Sequence, residues 1–277
     1  MRFSVKLSFA ALAVYLVAAV CGEVQYRVAQ ARDVTPAYNV VNAAERYLPP
    51  APGHILGTDN LGRSVALRLV QGARIAFIVG FATGAIAMVI GVVLGLLGGY
   101  LGGRTDSFVV WLTATCASMP GLLFILAISL VVGKGLLGVV AGIGLTTWVG
   151  VCRTIRAEVV KHRGRAYVLA AKALGFSPAR IMFRHILPNV LHLVLIQFSI
   201  RFPAAVSTEV FISFLGIGVQ GEPSWGVMIN NARLRLWQGV WWEMTFTTLA
   251  IFILVLAFNN IADYLRDRLD PALRSER

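Results

Sequence analysis

The residues able to carry chemistry in this chain are few and scattered. Cys21, Cys116 and Cys152 lie far apart, in or at the edges of apolar runs. Their spacing fits no metal site, and they read as packing residues. His54, His162, His185 and His192 form no ligand cluster, and no Ser-His-Asp or paired-carboxylate pattern stands out. A phosphate-binding Gly-x-x-x-x-Gly-Lys-Ser/Thr loop is absent, and Gly133-Lys134-Gly135 lacks its shape. The chain is therefore expected neither to bind ATP nor to catalyse a reaction. Two charges do stand inside an apolar segment, Arg201 and Glu209, with Pro203 between them. Ionisable groups within a membrane are expensive and usually face a cavity or a partner. Eight positions of helix amount to about 80° of rotation and about 12 Å of rise. The two charges therefore do not pair directly in a regular helix, although Pro203 could kink one.

The elements that must hold these residues are apolar helices. Of 277 residues, 57% are hydrophobic and 14% charged, and the mean hydropathy is +0.74. Soluble domains carry about 25% charged residues. Six apolar segments can be drawn, at 4–20, 75–97, 107–132, 135–152, 190–215 and 244–261. Each is close to the roughly 20 residues a span needs, and open strands would leave unpaired backbone groups in hydrocarbon. The expected class is an all-α integral membrane protein with about six transmembrane helices. Gly91 and Gly95 are spaced as in Gly-x-x-x-Gly, which favours close helix packing. A cleaved leader is the competing reading of the first segment, with Arg2 and Lys6 before Leu7–Val20. A retained span is preferred. The net charge of +12 raises nucleic acid as a partner. The basic residues cluster at the ends of apolar runs, which is the pattern of positive-inside loops, so no nucleic acid is expected.

One loop stands out, from Arg153 to Asn189. In it Arg153, Arg156, Lys161, Arg163, Arg165, Lys172, Arg180 and Arg184 face a single acid, Glu158. This excess assigns the loop to the cytoplasmic side. Parity then puts both termini inside, in agreement with Arg2, Lys6, Arg266, Arg268, Arg274 and Arg277. Arg63, Arg68 and Arg74 fall outside against the charge rule, partly balanced by Glu23, Asp33, Glu45 and Asp59. Within the loop, Ala166, Leu169, Ala170, Ala173 and Leu174 form an apolar helical stripe, while Lys161, Arg165 and Lys172 are placed on another face. Gly175 is a natural stop. Ser177-Pro178 reads as an N-cap followed by Pro at the first helical position, and Pro188 predicts an end near Leu187. The result is a helix–turn–helix with small residues on its surface. Outside, Asp59 is read as the cap of a short helix through Leu69. Trp225, Trp237, Trp241 and Trp242 are read as interfacial.

The stretch AAKALGFSPARIMFRHILPN resembles the cytoplasmic loop of permease subunits of ATP-binding-cassette importers. HILGTDNLGRSVALRLVQGARIAF, EVFISFLGIGVQGEPSWGVMINNAR and NNIADYLRDRLDPALR resemble the oligopeptide, dipeptide and nickel branch of that family, within it the C-type permease, in the family's order. The resemblance implies a type I importer permease fold in the cell (inner) membrane. It divides the chain into a first helix (1–22), an extracytoplasmic loop (23–70), a transmembrane domain (71–265) with the coupling loop 153–188, and a cytoplasmic tail (266–277). It implies that Ala170, Ala171, Lys172, Ala173, Leu174, Gly175, Phe176, Ser177 and Arg180 couple to an ATPase. It also implies three kinds of partner: two cytoplasmic ATP-binding subunits that carry ATP and magnesium, a second homologous permease and an extracytoplasmic binding protein. Arg201, Pro203 and Glu209 then line the translocation path, or Arg201 pairs with the second subunit and Glu209 lies near the outer interface. Gly175→Arg or Ala171→Asp is expected to uncouple transport.

Two departures from the branch are visible. Ser64 stands where an acid commonly follows, and Arg165-Ala166-Tyr167 stands where a Glu commonly precedes the Ala-Ala pair. The expected cargo is di- or oligopeptide. Nickel or a metal chelate within the same branch, and a proton- or ion-driven carrier using Arg201 and Glu209, are the alternatives. A membrane-anchored structural subunit explains the composition but not the ordered motifs.

Overall fold

The computed structural model describes residues 3–269. Arg2, Arg274, Arg277 and most of the expected tail lie outside the described residues. Among the described residues there is no named strand, only the isolated bridges Ala51–His54 and Thr58–Ser64. Ten α-helical stretches follow in order: α1 Phe3–Ala31, α2 Val65–Leu101, α3 Gly103–Ser118, α4 Gly121–Val132, α5 Leu136–Arg163, α6 Ala166–Ala173, α7 Pro178–Arg180, α8 Leu187–Phe214, α9 Trp225–Arg233 and α10 Trp242–Leu269. A π-helical turn, Ile181–Ile186, joins α7 to α8, so that Pro178–Phe214 is one helix. Five helices are long and apolar enough to cross a membrane, or six if the bent pair α3–α4 counts as one span.

Three local features depart from the segment reading. The first helix runs on to Ala31, beyond the expected limit at residue 22. The third segment is broken, with α3 and α4 meeting at 92°. Met119 there is extended, at φ −84° and ψ 137°, as the residue before a proline prefers, and Pro120 opens α4. Pro188 does not end its helix. The π turn before it widens the hydrogen-bond ladder, where a residue with no N–H and a bulky ring can be accommodated.

α2 is the central post, packed along α5 and touched by α1, α8 and α3. Its glycines set the spacing. A Cβ on Gly91 would lie 2.6 Å from Val151 Cβ, and one on Gly95 would lie 2.9 Å from Ile155 Cβ. The small-residue seam read from Gly91 and Gly95 is thus a real close approach, against α5. Gly80 and Gly84 receive the Phe202 and Phe198 rings of α8 in the same way. Phe202 also stacks on Phe258 of α10 at 3.9 Å between centroids.

At one end, the segments 32–64 and 215–241 form a polar cap. Asp59 accepts from the Leu61 and Arg63 amides and pairs with the Arg63 guanidinium at 2.7 Å. Asp59 is therefore the centre of a turn. The helix begins only at Val65, with Ser64 at its N-cap position. Arg74 pairs with Glu23 at 2.7 Å, binds Glu222 and lies 3.8 Å from the Tyr26 ring. The three arginines that strain the charge rule are thus engaged with acids of the cap and of the adjoining end of α1, Arg68 facing Asp59 at 3.6 Å. The tryptophans divide. Trp225 and Trp242 are buried, donating to Leu69 O and Thr58 O, while Trp237 and Trp241 are exposed. The interfacial reading is excluded for the buried pair.

Candidate functional site: an exposed helical wedge and a mid-span seam

The opposite end carries the basic loop. α6 begins after Arg165, whose backbone occupies the N-cap position. At its other end the Phe176 amide donates to Ala171 O at 3.1 Å, while Gly175 takes φ +76°. This is the Schellman closure that a glycine at this position favours. Ser177 then caps the next turn, accepting from the Arg180 amide. Both local signals read from the sequence operate as expected.

The two sides of α6 differ in what covers them. Val168 and Ala171 are the buried residues. They join a cluster containing Leu96 and Tyr100 of α2, Val159 of α5, and Ile181 and Met182 of the π turn. The stripe Leu169, Ala170, Ala173 and Leu174 is the exposed one, with Leu174 73% accessible. Ala171 is 3% exposed and supports the wedge from beneath. A substitution such as Ala171→Asp therefore disturbs folding as well as any docking.

Around the wedge, the cations are mostly held within the chain. Arg156 binds both oxygens of Asp106, tying α3 to α5. Lys161 pairs with Glu158 at 2.8 Å. Lys161 belongs to α5, so it shares no helix face with Lys172, whose ammonium sits 5.1 Å from the Tyr100 ring. The Arg180 guanidinium covers Phe176 at 4.2 Å, and Phe176 stacks on His185. The Tyr167 hydroxyl meets His162 Nδ1 at 2.7 Å. Burial pushes the Tyr167 phenol up, so it stays protonated. Arg165 and Arg184 remain exposed.

The residues inside the span do not form one site. Pro203 is buried in α8. Glu209 is 1% exposed and accepts from Ser213 Oγ at 2.6 Å, while Ser213 Oγ accepts from the Val219 amide at 3.1 Å. Glu209 thus fastens the return loop after α8, in the interior of the bundle. Arg201 alone of the three stays partly exposed. Among the described residues no three His, Cys, Asp or Glu side chains gather as a metal site.

A bundle of five or six long apolar helices defines the class: a multi-pass membrane protein. The fold agrees. It matches a solved MetNI methionine ABC transporter chain, from inward-facing conformations, with a TM-score of 0.56 and 18% identity over 73% of this chain and 96% of that one. The chain belongs to the family of binding-protein-dependent transport system inner membrane components, whose pattern matches residues 91–275. Its relatives include the dipeptide transport system permease protein DppC of Bacillus subtilis, 38% identical over 83% of this chain and 72% of that protein. The oligopeptide transport system permease protein OppC of the same organism is 35% identical over 86% of this chain and 78% of that protein. OppC of Salmonella typhimurium is 38% identical over 80% of this chain and 73% of that protein.

Proposed function

We propose that this chain is one of two permease subunits of an ATP-driven importer of di- and oligopeptides. The single observation that carries the coupling mechanism is the outward-turned stripe of α6, seated on residues of α2, α5 and the turn leading into α8. Large apolar side chains left in water mark a docking surface. Here the expected occupant is a groove on a cytoplasmic ATP-binding subunit, one such subunit for each permease, with ATP and magnesium held by those partners. The Lys/Arg excess of the loop supports the cytoplasmic side. Movement of α6 is passed to several spans at once, because Val168 and Ala171 rest on them. Interfaces of this kind switch between discrete arrangements rather than deforming smoothly. An extracytoplasmic binding protein delivers the cargo to the polar cap built around Asp59, Arg74 and Trp225. The peptide assignment is supported by the names of the dipeptide and oligopeptide relatives.

Leu174→Asp is the cleanest test of docking. The residue is exposed, so its loss leaves the core untouched. Gly175→Arg is less clean, because φ +76° adds backbone strain to any side chain there. The tagged chain, purified in mild detergent with its partners identified by mass spectrometry, should bring down an ATPase and a second permease. Leu174→Asp should lose the ATPase and keep the permease. Retention of the ATPase with normal peptide uptake in Leu174→Asp would sink the assignment.

A further inference from the structure

At the middle of the bundle, α8 and α5 share a polar seam whose chemistry neither the wedge nor the cap uses. Gln197 Nε2 of α8 lies 3.4 Å from Thr154 Oγ1 of α5. One turn further along α8, Arg201 lies against Gly150 of α5, where a Cβ would fall 2.4 Å from Arg201 Nη2. Gly150 therefore leaves room for a guanidinium that any other residue would displace. Thr147, Gly150 and Thr154 follow each other at three- and four-residue spacing, so one face of α5 offers hydroxyls and a bare backbone. Gln197, Arg201, Ala204 and Thr208 share one face of α8 at the same kind of spacing. Between Leu193 and Phe202 the only other polar residue of α8 is Ser199.

Arg201 makes no hydrogen bond or ion pair with any described residue, and its Nε is buried without a partner. Arg201 stands roughly 20 Å along the axis from the Phe214 end of its helix, and farther from the start at Pro178. An unpaired cation at that depth is costly unless a cavity, water or an anion meets it. Arg is also the side chain whose fixed donor fork matches a carboxylate.

We propose that Arg201, with Gln197 and Thr154 beside it, is a mid-membrane binding site for a carboxylate of the cargo, the C-terminal carboxylate in the case of a peptide. This rests on the importer reading and assigns a substrate group to the path. The site is a transient station. The cargo exchanges hydration for the guanidinium in the open cavity and gives it up when the spans reorient.

The test uses the assembled transporter in proteoliposomes with its binding protein. Uptake is compared for a peptide and its C-terminal amide, chosen so that the binding protein holds both with similar affinity. The wild type should carry the free carboxylate faster, by on the order of tenfold or more, as expected for one charge-assisted hydrogen-bonded pair. Arg201→Gln should slow the free carboxylate and bring the ratio toward one, while Arg201→Lys keeps part of the preference. A wild type that carries both at the same rate overturns the inference while leaving the importer intact. A wild type that carries neither removes the peptide reading and the inference with it. An Arg201→Gln variant that slows both equally, or whose complex loses the second permease, assigns Arg201 to the subunit interface instead.

Discussion

The α2–α5 seam yields a quantitative expectation. In Gly91→Ala the new Cβ would stand 2.6 Å from Val151 Cβ, 2.8 Å from Val151 Cγ1 and 2.9 Å from Trp148 O. Carbon atoms pack best at about 3.5–4.0 Å, so the deficit is about 1 Å. No rotamer change relieves it. Val151 Cβ is fixed to its backbone, and Trp148 O is backbone, so the two helices must part. Overpacking of this kind costs about 1–3 kcal/mol. At about 2–4 °C per kcal/mol for a chain of this size, the melting temperature should fall by roughly 2–12 °C. The assay is thermal unfolding in detergent followed by tryptophan fluorescence. Gly121→Ala is the control, because nothing lies within 4 Å of a Cβ there, and it should not destabilise. Adding Val151→Gly to Gly91→Ala moves the small residue to the other helix and should restore part of the loss, the Trp148 carbonyl being unchanged. A Gly91→Ala protein that melts within 1 °C of wild type would show that α2 and α5 do not approach so closely.

Other outcomes follow from single contacts. Glu209→Leu removes the acceptor of Ser213 Oγ and should cost about 1–3 kcal/mol, with faster hydrogen exchange at the Val219 amide. Unchanged exchange there would break the link between Glu209 and the return loop. Arg156 and Asp106 are partly exposed, at 31% and 27%. Their coupling in an Arg156→Gln/Asp106→Asn cycle should therefore stay near 1 kcal/mol or below, measured by the same melts. A coupling above about 3 kcal/mol would mean that the pair is buried in the working assembly.

How much of this was legible in the sequence depended on the range of the forces involved. The number of spans followed from runs of apolar residues, because bilayer thickness sets a length that any such run reveals. The closure of α6 at Gly175 and the Ser177 cap were legible because both are settled within a few residues. Gly91 and Gly95 announced a close approach by spacing alone. The lack of an ATP-binding loop was equally plain, as a motif written in consecutive positions. The Met119-Pro120-Gly121 break was there to be read as well, from the restriction a proline places on its predecessor.

The tertiary structure decided what depends on neighbours distant in the chain. The stripe Leu169, Ala170, Ala173 and Leu174 was legible as an apolar face, but not as the buried or the exposed one. It is the exposed one, because α2, α5 and the π turn cover Val168 and Ala171 instead. Periodicity identifies two faces of a helix but not which one its partners occupy. Pro188 looked like a helix end until the π turn accommodated it. Arg63, Arg68 and Arg74 looked misplaced until Asp59, Glu23 and Glu222 closed around them, the last across 148 positions of sequence. Arg201 and Glu209 were legible as two charges too far apart to pair along a regular helix, with their partners unassigned. The fold gives Glu209 a hydroxyl of its own helix and leaves Arg201 beside Gly150, because burial and company are properties of the packed bundle and not of the segment.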